Sequence, residues 1–369
     1  MKSSLILLLF VAHFALGQQL ALVKKDGKYG YINKSGAFVI QPKYTKARSF
    51  SEGLAGIYDN GKWGFINAKG ETVIQPAFDD AKLFNSGICV VLKGKEWSYI
   101  DAKGAVVNAP ASDKRYDFEN GLAFFKVGDN TGVINTKGEI VVQAIYQVIK
   151  PFENGFAKAK KGDKWGIIDT KGLAKVEFAY DEIGDYYKNI AWAKKGEQFG
   201  ITTNGKFIVL DGVDKIWDYS EGYAYARKGK KIGFIDATGR WVIEPQYDKA
   251  RAFVKGLAPV QVGEKWGYIN TSGTVVVEPK YSDAEIFSAD GLAPVKETDW
   301  GFIDTKGALV IPAKYDISVA FGFLTGKKEE KGFINGLARI KSEKNWGFID
   351  TKGNLLGNQW FENAELFSE

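Results

Sequence analysis

The chain has 369 residues, one cysteine, one histidine and a formal net charge of +6. The lone Cys89 excludes an intrachain disulfide. With His13 the only histidine, Ser-His-Asp and Cys-His catalysis and histidine-ligated zinc, haem or copper sites are excluded from the body of the chain.

The N-terminus comes first. Met1-Lys2 leads into the apolar run from Leu5 to Ala12, followed by Ala15-Leu16-Gly17. A basic start, a short apolar core and a small-residue end predict a secretory signal peptide over 1–17, cut after Gly17. The run is too short to span a membrane comfortably, nothing later looks transmembrane, and no cysteine sits at the cut for a lipid anchor. The expected product is exported to the periplasm, the cell surface or the medium. Export and the mild charge both argue against nucleic acid as a partner.

From Leu20 onward the sequence repeats, so 18–369 reads as one array of ten units with no extra domain or linker. A turn glycine recurs at Gly36, Gly70, Gly104, Gly138, Gly172, Gly205, Gly239, Gly273, Gly307 and Gly353, at steps of 34 residues save one of 33 and a last of 46. Such a period is the mark of a repeat architecture, which builds many small cores in series.

One unit reads as follows. Lys62-Trp63-Gly64-Phe65-Ile66-Asn67 is an aromatic and β-branched run, hence a strand. The Asp/Asn-x-x-Gly segment after it is a hairpin turn, because the side chain bonds forward to backbone amides and glycine accepts φ > 0. A second strand of the Val-Val-Ile type ends at proline, which cannot donate to a ladder. Tyr-Asp-x-Ala-x-x-Phe makes a compact connection, and Gly-Leu-Ala-x-Val opens a third strand. The glycine of that strand recurs at Gly53, Gly87, Gly121, Gly155, Gly222, Gly256, Gly291 and Gly336, and Asn189 replaces it once. Asparagine tolerates left-handed geometry next best, so the exchange supports a φ > 0 requirement.

Two places break the rhythm. Units over 139–219 lose the strand-ending proline, with Ala144, Phe178 and Asp211 at the expected sites. Near the end, an insertion around 320–333 includes Gly322 to Glu330 and predicts a protruding loop or hairpin.

The repeated residues resemble the WG repeat family of bacterial β-rich tandem repeats. Trp-Gly stands at Trp63, Trp165, Trp266, Trp300 and Trp346, and is degraded elsewhere, as in Trp97-Ser98 and Phe199-Gly200. The resemblance implies a secreted or surface binding or scaffold role, with no established catalytic residues to carry over.

The expected fold is all-β: ten units of about three antiparallel strands in an open, superhelical array. A closed propeller-like ring and two five-unit lobes are the alternatives. Three strands are few for a propeller blade, and ten units exceed the usual four to eight blades.

The five Trp-Gly tryptophans recur at one place in the unit and therefore read as structural. Departures from the repeat are the better site candidates. The x of Gly-Leu-Ala-x is Phe124, Trp192 and Tyr225 in three units. Trp192 and Tyr225 lie one period apart, so they should stand side by side. With Tyr186, Tyr187 and Trp217 they form a candidate aromatic strip that could stack on sugar rings or anchor a protein, against a plain packing role. The lysine groups at 158–161, 228–231 and 327–328 suit solvated loops or weak attraction to acidic glycans. Free exchange of Asp and Asn in the turns argues against calcium. Cys89 reads as a small buried residue.

No cofactor or metal site is expected, and no carboxylate pair stands out for a glycosidase. The expected function is a non-enzymatic envelope or secreted scaffold for a protein partner. The second reading is recognition of carbohydrate or peptidoglycan through the aromatic strip. A glycan-cleaving enzyme comes last.

Overall fold

The computed structural model describes residues 19–317 and 331–369. The predicted signal peptide 1–17 and the body of the predicted insertion, including Lys327-Lys328, lie outside the described residues.

The described residues form ten small antiparallel sheets and no α-helix. Eight sheets have four strands and two have three. The unit is therefore larger than three strands, because the compact connection itself holds a short strand. In the second unit Ala47–Ser51 precedes Leu54–Asp59, Lys62–Asn67 and Thr72–Phe78. A register shift between Ala47 and Phe50 breaks the period-two pattern of that first strand, which hides it from the sequence. Tight turns join the strands. Glu52-Gly53 and Asn60-Gly61 both hold φ > 0 at each of two central residues, the geometry that matches the twist of a hairpin.

The array is not open. The strand Asn363–Ala364 pairs with Ala21–Lys25, so the chain's last strand becomes the first strand of the first sheet. Leu20 and Ser368 exchange backbone bonds of 2.9 and 3.1 Å, and Glu365 donates to the Leu22 carbonyl at 2.8 Å. The ten sheets are thus the blades of a closed β-propeller, numbered here from the blade holding Ala21–Lys25.

Closure follows from the patterning of the blades. Each blade is apolar on both faces: Leu54 packs toward blade 3, while its neighbour Ala55 packs toward blade 1. Ten hydrophobic cores result, one per seam, and the tenth joins Ala21, Val23 and Ile32 to Phe348, Phe361 and Ala364. An open array or two lobes would leave such faces wet, at roughly 25 cal/mol per Å² of apolar surface. This physical reason corrects the open-array expectation.

In the four-stranded blades the fourth strand is the exposed edge. Proline lies within it rather than at its end, as at Pro76 inside Thr72–Phe78. An edge strand has a side that needs no donor, so proline is accommodated there.

Candidate functional site between blades 5 and 6

Most repeated residues have a ring-building task. The glycine of Trp-Gly is needed for close approach, not for an unusual φ. A β-carbon on Gly64 would lie 2.6 Å from the Ile74 carbonyl oxygen and 2.6 Å from the Pro76 nitrogen. The fourth strand bulges over it, since the register shifts between Trp63↔Phe78 and Phe65↔Ile74. Blade 3 has Ser98 at this position, and there the fourth strand is only Val106–Val107, paired before any bulge begins.

The tryptophans sit at the seams. Trp63, Trp266 and Trp300 are buried, and Trp165 and Trp346 are half-buried. Cationic groups lie over the rings: Arg48 is 4.5 Å from Trp63, Arg251 is 5.1 Å from Trp266 and Arg339 is 4.9 Å from Trp346.

Carboxylates latch neighbouring blades. Asp79 takes an ion pair from Lys62 of its own repeat and the Gly94 amide of the next blade at 2.7 Å. Asp181 and Asp248 do the same with Lys164 and Gly196, and with Lys231 and Gly263. The lysine bond first, and the glycine amide second, hold all three carboxyls below the usual range. On the other end of the blades, Glu52 accepts from the amides of Ser86 and Gly87, both at 2.6 Å. Two members of the lysine groups are paired in this way, Lys231 with Asp248 and Lys158 with Asp185.

The seam between blades 5 and 6 departs from this scheme in its own way. In regular units the Asp/Asn-x-x-Gly turn lies on an aliphatic residue of the preceding blade. A β-carbon on Gly273 would sit 3.4 Å from Ile243, and one on Gly70 would sit 3.5 Å from Ile40. In blade 6 the turn is one residue shorter. Thr203 pairs directly with Lys206, and Asn204-Gly205 make a two-residue hairpin with φ of 48° and 72°. Gly205 meets nothing within 4 Å. The space the longer turn would fill, beside Val176, is a cavity of about 350 Å³.

Its lining is polar. Thr202 stands where Ile66, Ile100, Ile168 and Ile235 stand in other blades, and its hydroxyl lies 3.3 Å from that of Tyr180. Lys175, Glu177, Tyr186, Asn189 and Thr203 complete the walls. Lys175 is paired with Asp169 at 3.2 Å. Burial alone would raise the Asp169 carboxyl. The Leu173 and Lys171 amides and the Lys175 ammonium overcome this and hold it low.

The five candidate aromatics are all half-buried and fall into three different seams. Tyr186 is at the cavity. It occupies the position filled by Phe50, Phe84, Phe118, Phe152 and Phe253, four residues ahead of the second strand. In several other seams that phenylalanine meets an aromatic ring of the preceding blade, as Phe84 meets Phe65 at 4.9 Å, though Phe152 packs with Val133. Blade 5 has Ile167 there instead, and Tyr186 packs edge-on against Phe156 at 4.7 Å. Its hydroxyl lies 3.4 Å from the Asn189 side-chain oxygen.

Tyr187 stacks on Tyr219 at 6.2 Å and Trp217 on Tyr225 at 4.6 Å. Trp192 lies over Gly184 and donates from Nε1 to Asp218 at 2.8 Å. What ties Trp192 to the next blade is therefore Asp218. Burial first, and the Asp218 carboxylate second, push the Tyr225 hydroxyl up to about 12. Tyr187 and Tyr219 stack across the seam between blades 6 and 7, whereas Trp217 and Tyr225 stack within blade 7.

Thr202, Thr203 and Tyr180 were not singled out from the sequence. The signal was present in the single step of 33 and in the threonine at an isoleucine position. Among the described residues no group of three His, Cys, Asp or Glu side chains is placed to hold a metal, and no helix is long and apolar enough to cross a membrane. Cys89 is buried and free, its thiol pushed up to about 12 first by burial.

Solved structures with a similar arrangement include a eukaryotic initiation factor, at 12% identity and TM-score 0.43, covering 95% of this chain and 98% of that one. Virginiamycin B lyase from Staphylococcus aureus matches at 15% identity and TM-score 0.30, covering 58% and 90%. Kluyveromyces lactis Hsv2 matches at 9% identity and TM-score 0.30, covering 68% and 88%. No curated protein matches the chain in sequence. The family model described as the WG containing repeat matches nine consecutive segments between residues 29 and 321. With its Trp-Gly units each forming one blade of the ring, the chain belongs to the WG-containing repeat family.

Proposed function

We propose that this protein is an exported, non-enzymatic binding scaffold that holds a protein partner over the sector of blades 5 to 7. The family and the propeller fold are consistent with an interaction scaffold. One observation carries the choice of sector. Many repeated residues are accounted for by seams, bulges and latches, whereas at blade 6 the turn length, the core isoleucine and the glycine ahead of the second strand all depart together. A photo-crosslinker at position 203 should trap a specific envelope protein, and the same group at Lys69 in the regular turn of blade 2 should not. Equal trapping at both positions, or none at either, would count against the reading. Sequencing the N-terminus of the protein recovered outside the cytoplasm tests export, with residue 18 expected first.

A second reading is recognition of carbohydrate or peptidoglycan through Tyr186, Tyr187, Trp192, Trp217 and Tyr225. What favours it is the polar cavity walled by Tyr186. That cavity carries one lining carboxylate, Glu177, while two-carboxylate glycoside hydrolysis needs a pair. Binding without cleavage is the form of this reading that the site supports.

A further inference from the structure

We propose that the cavity between blades 5 and 6 is a subsite for one neutral pyranose sugar unit. This rests on the carbohydrate reading and narrows it to a place. Three departures from the repeat and a one-residue deletion converge on the same space. The shortened turn at Asn204-Gly205 opens it, Thr202 replaces a core isoleucine, Tyr186 replaces a phenylalanine and Asn189 replaces a glycine. Thr202 and Asn189 add polar side chains where the repeat has isoleucine and glycine, while the tyrosine at position 186 is shared with Tyr219 in the next seam. A threonine hydroxyl in a core position costs stability unless it is satisfied, and here the Tyr180 hydroxyl satisfies it at 3.3 Å.

The chemistry of the lining selects the ligand. At about 350 Å³ the cavity lies in the range of small-molecule sites, roughly 300–1,000 Å³. Its apolar lining is the buried Val176 and the half-buried Tyr186, whose ring packs edge-on against Phe156. Hydroxyl and amide groups of Thr202, Thr203 and Asn189 offer both donors and acceptors. Lys175 is already paired with Asp169, and Glu177 disfavours an anion. An apolar face beside many alternating donors and acceptors, with no net charge to neutralise, matches a neutral sugar ring.

The test uses the chain 18–369, neutral mono- and oligosaccharides, the corresponding uronic acids and peptidoglycan fragments, with calorimetric titration as the readout. Saturable binding of a neutral sugar is expected, with uronic acids at least tenfold weaker. Whether the free monosaccharide binds as well as the longer chains identifies the source of the unit. Thr203→Asp combined with a lysine inserted after Asn204 rebuilds the regular turn over Val176. It should abolish binding while melting at or above the wild-type temperature. Should that variant misfold, Tyr186→Ala and Thr202→Val serve instead, each expected to weaken binding tenfold or more, while Lys69→Ala in the regular turn of blade 2 leaves it unchanged. A neutral sugar that binds equally to wild type and to these variants overturns the assignment of the cavity but spares the carbohydrate reading. No binding of any glycan to the wild type overturns both.

Discussion

Gly64→Ala tests the reason for the family's own dipeptide. The added β-carbon would stand 2.6 Å from the Ile74 carbonyl oxygen, whereas ordinary contact begins near 3.4 Å. The obstacle is backbone, so no rotamer change relieves it. The fourth strand must move outward by roughly 0.8 Å, which costs on the scale of overpacking, about 1–3 kcal/mol. It also strains the ladder around Phe65↔Ile74, at about 1 kcal/mol per weakened bond. Alanine recovers about 0.5–1 kcal/mol of strand preference over glycine. The net is a loss of about 2 kcal/mol. With roughly 340 described residues and an unfolding entropy of about 2.1 cal/mol/K per residue, the melting temperature should fall by about 3 °C. Ser98→Ala is the control, because no bulge crosses that position. It should stay within about 0.5 kcal/mol, or under 1 °C. Differential scanning calorimetry of both variants decides the matter. If Gly64→Ala melts within 1 °C of wild type, or Ser98→Ala falls as far as Gly64→Ala, the close-approach explanation is wrong.

Removing residues 362–369 takes away the closing strand and the bonds between Leu20 and Ser368. A lower, broader calorimetric transition and a larger radius in small-angle scattering are expected, and an unchanged sharp transition would show that closure adds no stability. The three latch carboxyls are depressed in the folded state, so their contribution is present above the ordinary carboxylate pKa of about 3.9 and is lost as the pH falls through the folded values. Melting temperature should therefore decline below about pH 4, and Asp79→Asn with Asp181→Asn and Asp248→Asn should flatten that decline. An equally steep acid limb in the triple variant would remove the latches from the account. Trp192→Ala removes a half-buried ring and the Nε1 donor to Asp218, and should cost about 1–3 kcal/mol in denaturant unfolding, less than the 3–5 of a fully buried aromatic. Unchanged stability with lost ligand binding would instead make Trp192 a contact residue.

The sequence by itself determined the unit. Its period, its Asp/Asn-x-x-Gly turns and its strand-forming runs are local signals, and the turns form as the spacing predicts, with the Asn67 side chain accepting from the amides of Lys69 and Glu71, each at 3.0 Å. The short first strand escaped because a bulge scrambles its alternation. Only the tertiary structure decided that the array closes. Closure depends on how the small rotation between blades accumulates over ten seams, and no single repeat carries that sum. The site was hidden for a related reason. Thr202, Tyr186, Asn189 and the shortened turn are separate in sequence, each a tolerable exception to the repeat. They become one feature only when blade 6 is set against blade 5 and the missing turn residue leaves a cavity beside Val176.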